Sequence, residues 1–398
     1  MRQKTGKPRV GLFIVCTLFF WFSLYAYMPT MTPYLTSLGI SYTMIGLIGG
    51  SYGFAQMVLR VPLGIASDRL GKRKLFIVIG LFIGGFSALG MFFTQNAFLL
   101  LTLRFLVGVC TSSWVLFTVL FSGYYDREKY ASRTSYLLMV NNCGAVLSKL
   151  AGSMLAERVG HRYTFLLSSA VGLAAGVMSL FITEKAPETT EHPPIKELLS
   201  VIKNRNLLVM STLAALSQMV LFSTINTFTP DAAARVGAGP VQLGIMSTVA
   251  SIPAIFTALA GGRIFSKGVS VRLIVTLGFT LSASGTVMIA FTGSLVLIFV
   301  SAILIGAGCG LCMSTLLSFC SVTIEEDRRS AAMGVFQAVY SIGMFAGPVL
   351  IGLFVDAISL SSGFIAAAAL ALMGLVTALS LLNKEKSNKQ DGKLQPPA

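Results

Sequence analysis

Apolar runs of about twenty residues, each closed by a short polar segment, repeat along the whole chain. They begin near Val10, Tyr42, Leu75, Ala97, Thr134, Tyr163, Leu207, Val241, Leu273, Leu295, Ala331 and Gly363. At about 1.5 Å of rise per residue, each can cross the ~30 Å hydrocarbon core of a bilayer. Only segments that satisfy their own backbone hydrogen bonds span lipid, so the pattern predicts an all-α membrane protein with twelve transmembrane helices. Pro29, Pro62, Pro253 and Pro348 fall inside runs and mark kinks. The first run extends from Val10 to Pro33 without a small-residue cleavage pattern, so it reads as a retained span and not a signal.

The longest polar stretch between runs mixes Glu184, Glu188, Glu191 and Glu197 with Pro187, Pro193, Pro194 and several lysines. It divides the chain into a first six-helix half (1–182), a cytoplasmic linker (183–206), a second half (207–383) and a disordered tail (384–398). Within the linker, 195–202 reads either as a helix on the membrane surface or as a solvated tether. A shift of 198 residues lays Gly39 on Gly237, Gly46 on Gly244, Gly64 on Gly262 and Gly108 on Gly306; a shift of 199 lays Gly144 on Gly343. Five ordered pairs at nearly one offset indicate duplication, hence two pseudo-symmetric halves.

Composition agrees with the pattern. Of the 398 residues 55% are hydrophobic and 11% charged, with a mean hydropathy of +0.79. A soluble domain carries about 25% charged residues, so a soluble enzyme is excluded. The net charge of +15 lies in loops. With the N-terminus inside, 23 Lys and Arg fall in cytoplasmic segments, against Arg158, Arg162 and Arg235 outside; Arg60, Arg104, Lys149 and Arg263 lie in or at the ends of spans. Both termini are therefore expected in the cytoplasm, and the basic charge is no sign of nucleic acid. All six cysteines sit in apolar runs, and neither His161 nor His192 is near Cys309 and Cys312, so no metal or other cofactor is predicted.

Between the second and third runs stands Gly64-Ile-Ala-Ser-Asp68-Arg69-Leu70-Gly71-Lys72-Arg73-Lys74. Its cations cannot enter hydrocarbon, so the chain must turn there, and Asp68 is placed to meet the positive N-terminal end of a helix or a basic neighbour. The pattern G-x-x-x-D-R-x-G-K-R, at Gly64, Asp68, Arg69, Gly71, Lys72 and Arg73, resembles the signature loop of the major facilitator superfamily of secondary transporters. The resemblance covers the whole chain, including likeness to small bacterial drug-efflux members, and implies alternating access between two halves with this loop as a gating latch. The second copy retains Gly262 but has Ser266 and Lys267 where Asp68 and Arg69 stand.

Arg104 lies deep in the fourth run with Gly108 four residues on. That spacing resembles the superfamily's fourth-helix motif, although Val107 replaces its frequent Gln. The implied role is substrate or proton coupling; the alternative is hydrogen bonding to carbonyls of a neighbouring helix. Gly144 and Gly152 frame the fifth-run segment that resembles the pattern of the superfamily's proton-coupled antiporters, but Lys149 occupies its proline position, whereas the eleventh run keeps Gly343, Gly347 and Pro348. Lys149 reads as a second interior cation or as a lysine snorkelling past its helix end. All 15 acids are predicted in loops, tails or span ends. Asp231 and Asp356, at the outer ends of the seventh and eleventh runs, are the nearest candidates for a protonatable site, although both are expected as helix-end residues facing water. Asn141, Asn142, Gln218, Asn226, Gln337 and Tyr340 are further candidates for the cavity or for gluing helices together. Trp21, Tyr25 and Tyr27 read as cavity wall or interface belt.

The function expected is secondary transport of a small anionic, zwitterionic or neutral organic solute by a bacterial inner-membrane protein that works as a monomer in the lipid bilayer, with protons as a possible coupling ion. A proton-coupled multidrug exporter is the rival reading. A membrane-embedded transferase would need a clustered acid, His or metal triad, and the sequence offers none.

Overall fold

The computed structural model describes residues 9–125, 130–184, 204–266, 269–324 and 329–382. Linker residues 185–203 and tail residues 383–398 lie outside the described residues, and with them most of the predicted linker and the predicted disordered tail. Twelve helical rods are described. The first is α1 (Val10–Tyr25) followed after a break by α2 (Met28–Ser37); the second and third are α3 (Tyr42–Leu70) and α4 (Arg73–Phe93). The fourth joins α5 (Ala97–Ser112) to α6 (Trp114–Ser122), and α7 (Tyr130–Val159) and α8 (Tyr163–Ser179) are the fifth and sixth. The seventh runs through α9 (Arg205–Ser223), a π-turn (Thr224–Phe228) and α10 (Thr229–Arg235). The remaining rods are α11 (Pro240–Ser266), α12 (Val271–Phe291), α13 (Leu295–Thr323), α14 (Arg329–Ala357) and α15 (Leu360–Leu381). Ten of the twelve contain a stretch long and apolar enough to cross a membrane. The other two are α7, which carries Lys149, Glu157 and Arg158, and the 17-residue α8.

Helix ends follow local chemistry. The Asn96 side chain accepts from the Phe98 and Leu99 amides to start α5, Asn204 does the same for Leu207 in α9, and Ser359 and Ser362 form a reciprocal capping box at α15. Gly71, at φ 61°, makes the turn between α3 and α4 in the left-handed region that a side chain would strain. Inside the rods, buried hydroxyls such as Thr17 and Ser211 donate to the carbonyl four residues back, which satisfies them without a partner helix.

The rods pack as two sets of six. In the first set α1 lies on α7 and α8, α4 on α8 and α5, and α3 on α5; in the second α9 lies on α14, and α13 on α11 and α12. Between the sets, α3 lies against α14 and α7 against α11. Close approaches repeat with the sequence offset. A Cβ on Gly108 would meet the Tyr52 carbonyl, and one on Gly306 the Ala250 carbonyl. Across the two sets, a Cβ on Gly46 would strike the Pro348 carbonyl and one on Gly244 the Lys149 carbonyl. Each partner is displaced by 198 or 199 positions, so the duplication legible in the glycines is a duplication of contacts.

Candidate functional site

Call the end of the bundle where α1 begins and α15 finishes the near face, and the opposite end the far face. Two rods, the first and the seventh, are interrupted at a proline, for the same reason. Proline lacks an N–H, and its ring clashes with the carbonyl four residues back. For Pro29 that carbonyl belongs to Tyr25, the last residue of α1; for Pro230 it belongs to Asn226, inside the π-turn. Thr227 donates from Oγ1 to the Phe222 carbonyl at 2.7 Å, filling part of the widened turn. The interruptions are related by the repeat, Ala26 and Met28 corresponding to Thr224 and Asn226 at the 198-residue offset.

Both interruptions line one cavity, Met28 and Met31 from the first rod and Asn226 and Thr227 from the seventh. Ile45 and Phe222 add apolar wall, and Arg104 supplies the charge. Its room for a water centre is about 10 Å³, enough for one water, so a larger occupant needs the walls to part.

Arg104 is 2% exposed. It donates through Nη1 to the Tyr27 hydroxyl at 2.5 Å and through Nη2 to the Met28 sulfur at 3.1 Å, and its guanidinium lies 4.7 Å from the Tyr52 ring centroid. Nε is buried without a partner. Among the described residues no carboxylate pairs with it.

Lys149 points inward between the two sets of rods and does not snorkel. Its ammonium donates to the Ser251 hydroxyl at 2.6 Å and the Ser247 carbonyl at 3.3 Å, both on α11, and lies 5.4 Å from the Tyr25 ring centroid. Trp21 stacks on Tyr25 in turn. Arg104 and Lys149 thus sit at one level, each against a tyrosine flanking the break in the first rod.

Arg60 was absent from the residues singled out by sequence. On α3 it donates through Nη1 to Gln337 Oε1 at 3.1 Å and to the Tyr340 hydroxyl at 2.8 Å, both on α14, and through Nη2 to Gln56 Oε1 at 2.5 Å. It thereby gathers two predicted site residues into a bond across the two sets. The available signal was an arginine at the nineteenth position of a 29-residue helix, about two turns before the basic segment at its end.

The other candidates are not brought to the cavity's charge. Asn142 donates to the Leu138 carbonyl of its own helix, Asn141 is half-buried beside it, and Gln218 reaches the Met313 sulfur at 3.6 Å with its Oε1 unpartnered. The remaining predicted packing glycines meet backbone: a Cβ on Gly144 would meet the Leu18 carbonyl, on Gly152 Ala26, on Gly343 Ala215 and on Gly347 Met219.

At the far face the sets are latched twice. Asp356, at the end of α14, accepts from the Tyr42 and Thr43 amides that open α3, at 2.8 and 2.7 Å. Glu157, at the end of α7, accepts from the Val241 amide near the start of α11 at 3.2 Å. Asp356 and Glu157 differ by 199 positions and Thr43 and Val241 by 198, so these are two copies of one carboxylate cap on a helix N-terminus. Asp231 departs from the expectation of a water-facing acid: it is 3% exposed, accepting from the Tyr42 hydroxyl at 2.7 Å and from Arg235 Nε at 3.1 Å. Asp356 is exposed.

At the near face, Arg69 and Lys72 are exposed and the Asp68 side chain lies outside what the structure describes. At Gly64, among the described residues, nothing lies within 4 Å of where a Cβ would be. Along α3, contact with α14 is tight at Gly46, Gly50 and Gly53, is kept by the Arg60 bonds, and is absent at Gly64 among the described residues.

This architecture has known relatives. The family description "Major Facilitator Superfamily" matches residues 13–234 and 210–397. An uncharacterized MFS-type transporter of Methanocaldococcus jannaschii is 25% identical over 377 residues, covering 90% of this chain and 94% of the relative. Quinolone resistance protein NorA of Staphylococcus aureus is 24% identical over 359 residues, covering 88% and 90%. Among solved structures, a mutant of the nucleoside transporter NupG aligns with a TM-score of 0.82 at 14% identity, covering 94% of this chain and all of that one. An inward-facing, unoccupied bacterial homologue of the human lysosomal transporter Spinster aligns at 0.80 and 14%, covering 93% and 95%. Twelve rods in two matched sets, a cavity between two interrupted helices and a family match over nearly the full length make this chain a member of the Major Facilitator Superfamily, a secondary transporter of a small solute.

Proposed function

We propose that the cargo carries an anionic group, a carboxylate or other oxyanion, alone or within a zwitterion, and that Arg104 receives it. The observation that carries this reading is a guanidinium 2% exposed in the wall of the cavity, with an unpartnered Nε and no described carboxylate beside it. A cation in such a place costs several kcal/mol to desolvate, and a tyrosine hydroxyl and a thioether offset that incompletely. Bound cargo supplies the missing charge.

The near face is cytoplasmic in this reading, from the excess of Lys and Arg in the segments on that side, so both termini are inside. The two carboxylate caps then close the external side. The protein works as a monomer in the cell membrane, with protons as the candidate coupling ion. Likeness to a quinolone resistance protein supports a second reading, drug export, which predicts transport of lipophilic compounds irrespective of an anionic group.

Transport by the purified protein in proteoliposomes, with and without an imposed pH gradient, tests both. The panel is benzoate, a carboxylate-bearing quinolone, a neutral nucleoside and a lipophilic cation. Saturable movement of the carboxylates is expected; exclusive movement of the cation would sink the anionic reading.

A further inference from the structure

Among the described residues Arg60 is held by neutral groups alone: Gln56 from its own helix, and Gln337 and Tyr340 from α14. A neutral side chain would tie the two helices without the cost of desolvating a charge, so the link by itself does not require an arginine. Its Nε is buried and unpartnered, and Nη2 has a second hydrogen beyond the one given to Gln56, so the Nε–Nη2 edge retains the side-on fork that matches an oxyanion. Its position is also distinctive. The close approach of α3 to α14 at Gly53 lies seven residues toward the far face, while Gly64, four residues or about 6 Å toward the near face, has no described neighbour. Arg60 therefore stands at the near-face end of the described close approaches between α3 and α14.

A chain of contacts links it to the cavity. Gln56 Nε2 donates to the Tyr52 carbonyl at 3.5 Å, and the Tyr52 ring lies under the Arg104 guanidinium. From Tyr52 to Arg60 is eight residues, about 12 Å along the helix, so the two arginines serve different depths.

We propose that Arg60, framed by Gln56, Gln337 and Tyr340, is a second oxyanion-binding station on the near-face side of the Arg104 cavity. It takes the carboxylate or phosphate-type group of the cargo before or after that group occupies Arg104. The proposal rests on the anionic-cargo reading and adds the site, its depth and its ligand chemistry. Cargo on the Nε–Nη2 edge competes with Gln56 and draws on the same guanidinium that ties α3 to α14, so occupancy of this station loosens the bond across the two sets. A phospholipid headgroup presents the same chemistry and has to be separated by experiment.

The test uses the full chain in nanodiscs of zwitterionic lipid, titrated with benzoate and with inorganic phosphate, and with a neutral nucleoside as control. Affinity and thermal unfolding are read for the parent, Arg60→Gln, Arg60→Lys and Arg104→Gln. The parent is expected to bind at least one oxyanion saturably, Arg60→Gln at least tenfold more weakly, and Arg60→Lys between the two, with the nucleoside response unaltered. Should Arg60→Gln fail to fold, Gln56→Met is read instead: it removes the acceptor that competes for Nη2 and is expected to tighten oxyanion binding about threefold, whereas unchanged or weaker binding counts against the station. If Arg60→Gln binds as the parent does while Arg104→Gln does not, the second station is wrong and the anionic-cargo reading stands. If the parent binds no oxyanion, the anionic reading itself fails. A response to anionic-lipid nanodiscs without one to free oxyanions assigns Arg60 to headgroups and overturns its role in the cargo path.

Discussion

Arg104 brings a full charge into the protein interior with a tyrosine hydroxyl and a thioether as its hydrogen-bond acceptors. Replacing a buried ion that lacks an ionic partner by an apolar residue of similar volume is often neutral or stabilising. We therefore predict that Arg104→Met unfolds at the same temperature as the parent or higher, while its affinity for an oxyanion cargo falls at least tenfold, about 1.4 kcal/mol. A purely structural arginine would behave the other way, losing unfolding temperature and keeping affinity. At Lys149 the expected contrast is between Lys149→Ala, which removes charge and reach, and Lys149→Arg, which keeps both; only the first should weaken carboxylate uptake strongly, and a neutral solute should not distinguish them. Equal uptake of carboxylate by both variants would leave Lys149 a tether between α7 and the serines of α11. Charges inside apolar runs are easy to read from sequence, because hydrocarbon leaves few reasons for them. Their partners are not: nothing in the spacing says that Arg60 meets Gln337, 277 positions away, or that Asp231 turns inward to Tyr42.

At the scale of elements, rod boundaries were largely written in hydropathy, since α3, α5, α8 and α13 begin at the residues where their apolar runs do. The interruptions were half legible. A proline announces a missing hydrogen bond, but whether the helix resumes after a break, as at Tyr27, or through a π-turn, as at Thr224–Phe228, depends on packing around it. The far-face caps were not legible, because the recipient amides belong to another rod. Each cap places a carboxylate on a helix N-terminus, an interaction worth ~0.3–1 kcal/mol. Losing both should move the balance between closed and open far faces by about 0.6–2 kcal/mol, a change in population of roughly threefold to thirtyfold. Spin labels at Gln95→Cys and Ser361→Cys, exposed far-face positions on opposite sets of rods, read this as a distance distribution on a background with Cys143 replaced. We predict a longer-distance population in Asp356→Asn/Glu157→Gln, with each single change giving about half the shift. An unchanged distribution would mean that apolar packing and the Tyr42–Asp231 bond close that face without the caps.

For the whole molecule, the repeat governs contacts more faithfully than it governs charge. The proline interruptions, the glycine approaches and the far-face caps come in pairs, but Arg104 corresponds to Ala302, Lys149 to Pro348 and Asp68 to Ser266. Duplication thus supplies two matched walls, and divergence has placed the cavity cation in the first and halved the near-face latch. Two caps hold the far face in the closed arrangement that the structure describes, and the proposed latch at Asp68 acts on the opposite face. A carrier must visit both arrangements, so its turnover depends on the difference between the two faces and not on the strength of either. Asp68→Asn removes the only latch carboxylate that the repeat retains; we predict slower transport, severalfold, with cargo affinity in the far-closed state unchanged. Asp356→Asn, introduced on top, weakens the competing cap by a similar amount and should return transport toward the parental rate. Transport in the double variant that is slower than in either single one would show that the two carboxylates do not act on one equilibrium, and the balance argued from the paired caps would be lost.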